Sequence, residues 1–454
     1  MNENTKPKVA IVGAGLTGLT TAFYLKKGGV DVQVFEKAGR AGGVIKTNSE
    51  NGFTFESGPN TGVLGQPEAL ELFENLQGDC ELEIADEAAK ARWIWKAGKW
   101  EPLPSGLIGG ITTPLFTFSD KLRLLGEPFR KRGTNPDETL KELVLRRMGK
   151  SFLDYAVDPF ILGIYSGDPA KLVPKYALPK LYRLEQDYGS FIGGTIKKAR
   201  LPKTDWDKKA TREIFSVKGG LENLVKALVK NIGEENITLN CDSLSFTKTE
   251  KGFQRTQHID TFTHVISTVG GYELSHLFPF ADVEKIIQIN QLEYAKVVQV
   301  SIGFKEWEGV DLKAFGGLVP FKENRGILGV LFLSSFLKNK APKNGALLSV
   351  FLGGVRKPEM VELNDGQIVD IVEKEIKEMM GLEKFEPDVL RIFRYQHAIP
   401  QYGVESEQKL KAIDTLEKMY PGLILAGNIR DGIGMADRIK QGKILATQII
   451  KEYK

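Results

Sequence analysis

The chain has 454 residues, of which 42% are hydrophobic and 26% charged, with a formal net charge of +4. That length suits two or three domains with a full core, and the composition is ordinary for a soluble globular protein. The small charge argues neither way about nucleic acid, but no basic run with interleaved aromatics appears, so no such partner is expected; no stretch approaches about 18 uninterrupted apolar residues, which excludes a spanning helix.

Residues 1–8 show neither an apolar signal core nor the Arg-rich pattern of a transit peptide, so a cytoplasmic chain is expected. Residues 9–18, Val-Ala-Ile-Val-Gly-Ala-Gly-Leu-Thr-Gly, then read as an apolar strand, a Gly-x-Gly-x-x-Gly turn and a helix start. A second strand, Val-Gln-Val-Phe, ends in Glu36. This is the pattern of a dinucleotide site. Gly13 permits the tight turn, Gly15 lets the backbone approach a pyrophosphate, and Gly18 lets the helix pack close to the sheet. The helix N-terminus offers unpaired N–H groups and a positive dipole end to phosphates. Glu36 lies near the usual distance of about 20 residues, where a carboxylate accepts from ribose hydroxyls, so NADP is not expected. The competing reading is a plain strand-to-helix turn. Against it, a second glycine cluster follows at 39–47 (Gly-Arg-Ala-Gly-Gly-Val-Ile-Lys-Thr), then Phe-Thr-Phe-Glu-Ser-Gly-Pro-Asn-Thr at 53–61. Binding NAD does not require it.

Further along, residues 107–116 are apolar, Gly-rich and flanked by prolines, suited to touching lipid or to lining a substrate cavity. Residues 115–205 carry helical periodicity, as in Leu140, Leu143, Val144 and Met148, and predict a helical subdomain. Leu221, Leu224, Val225, Leu228 and Val229 predict an amphipathic helix, followed by a short strand at 237–240. Residues 243–267 alternate like hairpin strands, with 264–268 rejoining a parallel sheet. Apolar strands at 297–302 and 347–352, with a helix around 365–380, predict an antiparallel sheet. Leu423–Asn428 reads as a buried strand, Asp431–Met435 as a turn and 435–451 as a closing helix that brings a second helix N-terminus to the cofactor. Cys80 and Cys241 have no metal-ligand spacing; His258 and His264 suit surface or turn roles, and no metal site is expected. The chain shows no nucleophile–His pair and no Cys-x-x-Cys.

The second glycine cluster resembles the loop that closes over FAD in glutathione-reductase-like flavoproteins, above all the amine oxidase superfamily. Several stretches narrow the likeness. Arg146-Arg147-Met148-Gly149, Asp158 to Pro169 (Asp-Pro-Phe-Ile-Leu-Gly-Ile-Tyr-Ser-Gly-Asp-Pro), Pro102 to Gly106, Leu184 to Ser190, Phe315 to Pro320, Ile327 to Phe332 and Ala398 to Tyr402 stand in order. Together they resemble the oxygen-dependent protoporphyrinogen oxidases over nearly the whole chain. Two departures stand out. The family turn Gly-Gly-Val-Gly-Leu-Pro-Asp-Cys is here Asp431 to Arg438, and a Trp before Ala398 is Tyr395.

The resemblance implies an α/β and α+β multidomain fold. Its parts are a discontinuous FAD-binding Rossmann-like domain of the glutathione-reductase type (1–90, 206–280, 405–454), a β-rich antiparallel-sheet substrate domain (91–114, 281–404) and a helical subdomain (115–205). The implied cofactor contacts are Gly13, Ala14, Gly15, Thr17, Gly18, Glu36, Lys37, Arg40, Gly42, Gly43, Val44, Gly58, Pro59, Asn60, Thr61, Ser243, Ala398, Ile433, Gly434 and Met435. Arg92 matches a position that holds a substrate propionate; its alternative is a surface Arg on a strand. Leu318 and Phe351 would sandwich the macrocycle or simply pack in the core. Asn60 would touch flavin or macrocycle edge, or serve a turn. The Gly163 carbonyl would meet pyrrole N–H groups, or Gly163 is a helix break. The implied reaction takes protoporphyrinogen IX to protoporphyrin IX in haem biosynthesis, with hydride transfer to flavin N5, dioxygen as acceptor and hydrogen peroxide as product. Coproporphyrinogen III is the nearest alternative, then another amine or carotene-type flavin oxidase, then a flavin-binding scaffold without turnover. A peripheral contact with the inner face of the cell membrane, a transient contact with the next haem-pathway enzyme, and a monomer or homodimer all stay open.

Overall fold

The computed structural model describes residues 7–104, 109–110 and 112–453. Lys8–Val12 is a strand with its last four residues buried. Such an apolar run needs cover on both faces, as in a parallel sheet. It pairs in parallel with Asp31–Phe35 on one side and His264–Ser267 on the other. Ile237–Thr238 and Leu423–Leu425 complete a five-stranded parallel sheet. Its strands therefore come from the beginning, middle and end of the chain. One face carries the helices Leu16–Lys27, Glu222–Ile232 and Met435–Glu452, joined in a single apolar cluster. The other is covered by the small antiparallel sheet Phe246–Thr249, Gly252–Arg255 and Thr261–Phe262, with Phe35, Phe246 and Phe262 edge to face. Ile214–Val217 stays out of the main sheet and pairs with Gly62–Val63 and Leu82–Ile84.

A second sheet has seven strands, in the order Val389–Pro400, Tyr294–Phe304, Ala346–Gly353, Gly329–Phe332, Gly316–Leu318, Trp93–Lys96 and Lys99–Pro102. All pairings are antiparallel except Gly316–Leu318 with Trp93–Lys96. The sheet is thus mixed rather than antiparallel throughout, because Trp93–Lys96 enters from a distant part of the chain without a hairpin to set its direction. One face buries Val298, Val300, Ile302, Leu348, Val350 and Leu352 against Ile368, Val372 and Ile376 of the helix Asp365–Met380. That helix starts with a capping box, Asn364 with Gln367, and ends at Gly381 in the left-handed region.

Between Phe118 and Lys208 the described residues form helices and no strand. An ionic group at their centre explains two of the sequence motifs. Arg147, fully buried, gives Nε to Glu185 Oε1 at 2.7 Å, Nη1 to Glu127, and Nη2 to the Gly189 carbonyl at 2.7 Å. Arg146 joins Glu185 at 2.9 Å and Glu138 at 2.6 Å. Burial pushes Glu127 up, but donors on Ser190, Phe191 and Ile192, with Arg147, outweigh it and hold the carboxyl below its usual range. Glu185 is lowered in the same way: burial opposes, and Arg146, the Gly133 N–H and Arg147 prevail.

His264 departs from the surface or turn role the sequence suggests. It is 8% exposed on a central strand, pushed down by burial and 3.4 Å from Glu452. Cys80 and Cys241 are free thiols. No helix of the described residues is long and apolar enough to cross a membrane. Of the apolar stretch 107–116, residues 107, 108 and 111 lie outside the described residues, as do Ser105 and Gly106. Leu115 and Phe116 are buried, and Phe116 stacks on Phe152 at 3.8 Å, so this end is core and faces neither lipid nor substrate. Exposed apolar side chains come just after it: Phe118, Leu122, Leu125 and Phe129 are all more than half exposed.

Candidate functional site

The three motif glycines have three distinct surroundings. Gly13 has φ +98°, and its N–H donates to the Phe35 carbonyl at 2.8 Å, closing the turn. A Cβ on Gly18 would collide with the Gly13 carbonyl oxygen, so a side chain there would push the helix off the strand. A Cβ on Gly15 would meet no atom within 4 Å. Gly15 is also the N-cap of Leu16–Lys27, with no side chain capping the helix. Its orphan N–H groups therefore face open space, the arrangement that binds phosphate. The Thr17 hydroxyl in the first turn is 4% exposed and has no partner.

Two further loops close around this one. Gly42 N–H donates to the Ala14 carbonyl at 2.8 Å, joining the two glycine loops. Arg40 does not extend into the groove. Its guanidinium donates to the carbonyls of Ala41, Gly43 and Ile45 at 3.1, 2.6 and 2.9 Å, and so fixes the loop's shape. Val44 is 59% exposed, an apolar side chain left uncovered at the loop's edge. Glu36 accepts from Ala14 N–H at 2.7 Å and Ala38 N–H at 2.9 Å, which places its carboxylate at the glycine turn. Lys37 turns away to Glu273 at 3.3 Å on the surface, and Ser243 is exposed in a turn two residues past Cys241, whose N–H binds the Glu36 carbonyl. Neither side chain is brought to the groove by a bond.

Gly58 opens the third loop, with φ +107° and no room for a Cβ beside the Val44 carbonyl. Its N–H donates to Gln299 Oε1 at 3.0 Å, and Gln299 Nε2 reaches the Glu56 carbonyl and Ser349 Oγ. Asn60 Nδ2 also reaches Ser349, at 3.4 Å, while its Oδ1 is buried with no partner. Pro59 lies between them and Thr61 follows. A cavity of about 260 Å³ lies beyond, lined by Thr61, Gly62, Val63, Gly65 and Gln66 on one side, Gly434 to Asp437 on another, and Lys180. Gly434 is the N-cap of the closing helix, and Gln66 ties the two walls through Asp437 at 2.9 Å. Ile433 is half-buried beside this turn. Ala398 is half-buried on the strand Val389–Pro400, and Tyr395 on the same strand lies within electrostatic reach of Arg40, its hydroxyl pushed up to about 12 by burial.

The open cradle at Gly15, the unpartnered Thr17 Oγ1 and Asn60 Oδ1, and the cavity between two helix starts fit an elongated, anionic, partly aromatic group. A dinucleotide flavin has those properties.

The substrate candidates meet on one sheet face. Leu318 pairs with Gly329, Gly329 with Phe351, and Phe351 with Gln299, and directly paired residues share a face. That face holds Gly58 and Asn60 through Gln299 and Ser349. Ile94 pairs with Leu318, so Arg92, two residues earlier, also belongs to this face. Arg92 is half-buried, 5.3 Å over the Phe315 ring, with no carboxylate in ion-pair range among the described residues. Burial pushes its guanidinium down. Gly163 does not break a helix: Asp158–Tyr165 continues past it and ends at Ser166 in the left-handed region. It lies in the last turn, where carbonyls lack an intrahelical partner. A Cβ there would stand 2.6 Å from Leu318 Cδ2, so helix and sheet meet at these two residues.

Other motif residues prove to be braces. Arg356 holds Asp158 at 2.6 Å and Asp168 at 2.8 Å, and Gln401 Nε2 ties the Tyr165 carbonyl at 2.9 Å. Gln299 and Ser349 are not among the sequence candidates, although a lone amide on the apolar strand 297–302 is a readable signal. Lys180 has no such signal, since only folding brings it to Thr61.

The family model of the flavin-containing amine oxidoreductases matches residues 16–450. Mitochondrial protoporphyrinogen oxidase of Nicotiana tabacum is 32% identical, over 99% of this chain and 95% of that one. Coproporphyrinogen III oxidase of Bacillus subtilis is 26% identical, over 96% and 97%. Among solved structures, a protein from Exiguobacterium sp. 255-15, provisionally assigned as a protoporphyrinogen oxidase, superposes with a TM-score of 0.82 at 22% identity, covering 99% of this chain and all of the other. With three glycine loops converging on one groove and a match from the first helix to the last, this chain is a flavin-dependent oxidoreductase and belongs to the flavin-containing amine oxidoreductase family.

Proposed function

We propose that the flavin is FAD and that the enzyme oxidises protoporphyrinogen IX to protoporphyrin IX, using dioxygen and releasing hydrogen peroxide, in haem biosynthesis. The relatives that span nearly the whole chain act on porphyrinogens by name. The observation that carries the reading is Arg92, a half-buried cation without a counter-ion among the described residues, at the edge of the apolar face of Leu318 and Phe351. A disc with acidic arms matches that face: the ring covers Leu318 and Phe351, and one carboxylate takes the guanidinium fork.

When bound, FAD supplies hydride acceptance at N5 and returns the electrons to dioxygen. The protein orients and encloses. Gly15 and the uncapped helix start hold the pyrophosphate, Glu36 the ribose, and Arg40 braces the loop over them. Asn60 Oδ1 finds its missing partner on ring or substrate edge. Gly163 offers a free carbonyl opposite Leu318 for pyrrole N–H groups. No side-chain base is assigned, because the gain in aromaticity drives proton loss to solvent. The division of labour is that of a cofactor enzyme.

Two carboxylates suit the face better than four. Arg325, Arg356 and Lys357, around the neighbouring recess at Leu162 and Val319, are engaged with Glu375, Glu378, Asp158, Asp168 and the Arg325 carbonyl. Turnover of protoporphyrinogen IX and coproporphyrinogen III, followed by porphyrin fluorescence and peroxide release, tests the reading. Higher kcat/KM for the first is expected. Preference for the second would replace the substrate, and no fluorescence with either would end the assignment.

We further infer that the apolar edge Phe118, Leu122, Leu125 and Phe129 rests on an anionic bilayer surface. Lys131 and Arg132, both exposed just after Phe129, supply the matching charge.

A further inference from the structure

Tyr272 and His397 come from different sheets and meet beside the glycine turn. The loop 268–273 leaves the carboxyl end of His264–Ser267, the neighbour of Lys8–Val12 in the parallel sheet. Ligands of open parallel sheets lie beyond those strand ends. Thr268 Oγ1 donates to the Val12 carbonyl at 2.9 Å and lies 3.2 Å from the Gly13 carbonyl, so the loop begins against the turn itself. Its far end is tied to the residue after Glu36, through Glu273 and Lys37 at 3.3 Å. Tyr272 lies between these two anchors. Burial pushes its hydroxyl up, Glu273 adds to the rise and Lys37 opposes it, so the phenol stands on the Glu36 side of the turn. Gly270 makes room for the ring: a Cβ there would stand 2.3 Å from Tyr272 Cε1.

The second ring comes from the seven-stranded sheet. In Val389–Pro400, Tyr395 opposes Val297 and Ile399 opposes Ala295, so Lys296 alone faces Gln396, His397 and Ala398. Such a bulge takes a side chain out of the ladder and re-aims it. The His397 ring stacks on Tyr272 at 4.1 Å and 23°, and Tyr294 meets the two rings edge-on at 5.5 and 5.7 Å. Core packing does not account for the pair, because Tyr272 is 45% exposed and His397 is exposed as well. Neither His397 nor any of residues 268–273 lines the cavity at the closing helix, so the pair belongs to a different stretch of the groove.

We propose that Tyr272 and His397 form the wall against which the adenine of the dinucleotide lies, and that this wall makes the chain select the dinucleotide over the mononucleotide. The carboxylate that takes the ribose is Glu36, and the base attached to that ribose lies next to it. Two open rings on the Glu36 side of the turn offer such a base an aromatic surface. Every base has a π-face, so stacking on a side-chain ring needs neither a counter-charge nor a particular hydrogen-bond pattern. The proposal rests on the reading of the flavin as FAD, not on the porphyrinogen assignment.

The test strips the full chain of flavin and titrates it calorimetrically with FAD, FMN and ADP. ADP carries the adenine without the flavin, and FMN the flavin without the adenine. Tyr272→Ala is expected to weaken FAD and ADP about tenfold and to leave FMN unchanged. His397→Ala shifts FAD and ADP the same way, and Tyr272→Phe, which keeps the ring, binds all three as wild type does. Wild-type affinity for FAD and ADP in both alanine variants would overturn the proposal while leaving FAD as the cofactor. Equal weakening of FMN would overturn it too, since a purely structural role disturbs both halves of the groove. If Tyr272→Ala does not fold, the same titrations of His397→Ala decide. A wild-type chain that binds FMN as tightly as FAD would overturn both this proposal and the FAD reading.

Discussion

Gly15 and Gly18 show how one motif makes opposite demands on the same residue type. Gly18 leaves no room for a Cβ, whereas Gly15 leaves open space that the proposed function assigns to the occupant. Gly15→Val should leave the thermal midpoint of the flavin-free chain unchanged while lowering flavin retention on purification. Gly18→Val should lower that midpoint, because its Cβ meets the Gly13 carbonyl. Equal flavin content in wild type and Gly15→Val would remove Gly15 from the site. Arg92 is the second decisive residue. A hydrogen bond to a charged group contributes about 1.5–3 kcal/mol, so Arg92→Ala should raise KM roughly 10- to 150-fold with kcat little changed. Steady-state kinetics that match wild type would return Arg92 to the role of a strand arginine on Phe315. At this scale the sequence was partly legible. Gly13, Gly15 and Gly18 could be assigned separate tasks from spacing alone. That Arg40 braces its own loop, and that Lys37 faces solvent, could not be, because a side chain's direction depends on neighbours that spacing does not name.

At the scale of elements, the helical segment turns on Arg147. Breaking a buried ion pair by removing one partner costs about 3–5 kcal/mol, so Arg147→Ala should lower stability by that much in urea unfolding. A loss below 1 kcal/mol would mean that Glu127 and Glu185 find other partners. The same carboxylates set a pH dependence. Both are held below their ordinary values in the folded chain, so the stability they contribute is complete above about pH 4.5. It is lost as pH falls through their lowered folded values. Unfolding midpoints measured from pH 7 to pH 3 should fall only in the acid part of that range. Arg146-Arg147 and Glu185 stood out in the sequence as motif residues, yet their work is bracing. A short motif does not reveal whether it faces a ligand or another helix.

For the whole molecule, the apolar edge after Pro114 is the feature with the largest consequence outside the active groove. Phe129 is 91% and Phe118 76% exposed beside a basic run, so the chain should co-sediment with vesicles containing anionic lipid and not with neutral ones. Phe118→Ser combined with Phe129→Ser should abolish this without altering the far-UV spectrum. Equal sedimentation of the double variant would place the contact elsewhere.

The first strand–turn–helix–strand unit, the helical middle segment and the return of the last strand to the first sheet were determined by the sequence itself. Each rests on local chemistry: apolar runs, glycine at a strained turn, and periodicity of two or 3.6. Only the tertiary structure decided that Trp93–Lys96 joins its sheet in parallel, that Gln299 and Ser349 hold the Gly58 loop, and that Lys180 lines one cavity with the start of the closing helix. Those outcomes depend on which buried surfaces meet across hundreds of residues of chain, and on which charges are left without a partner when they do.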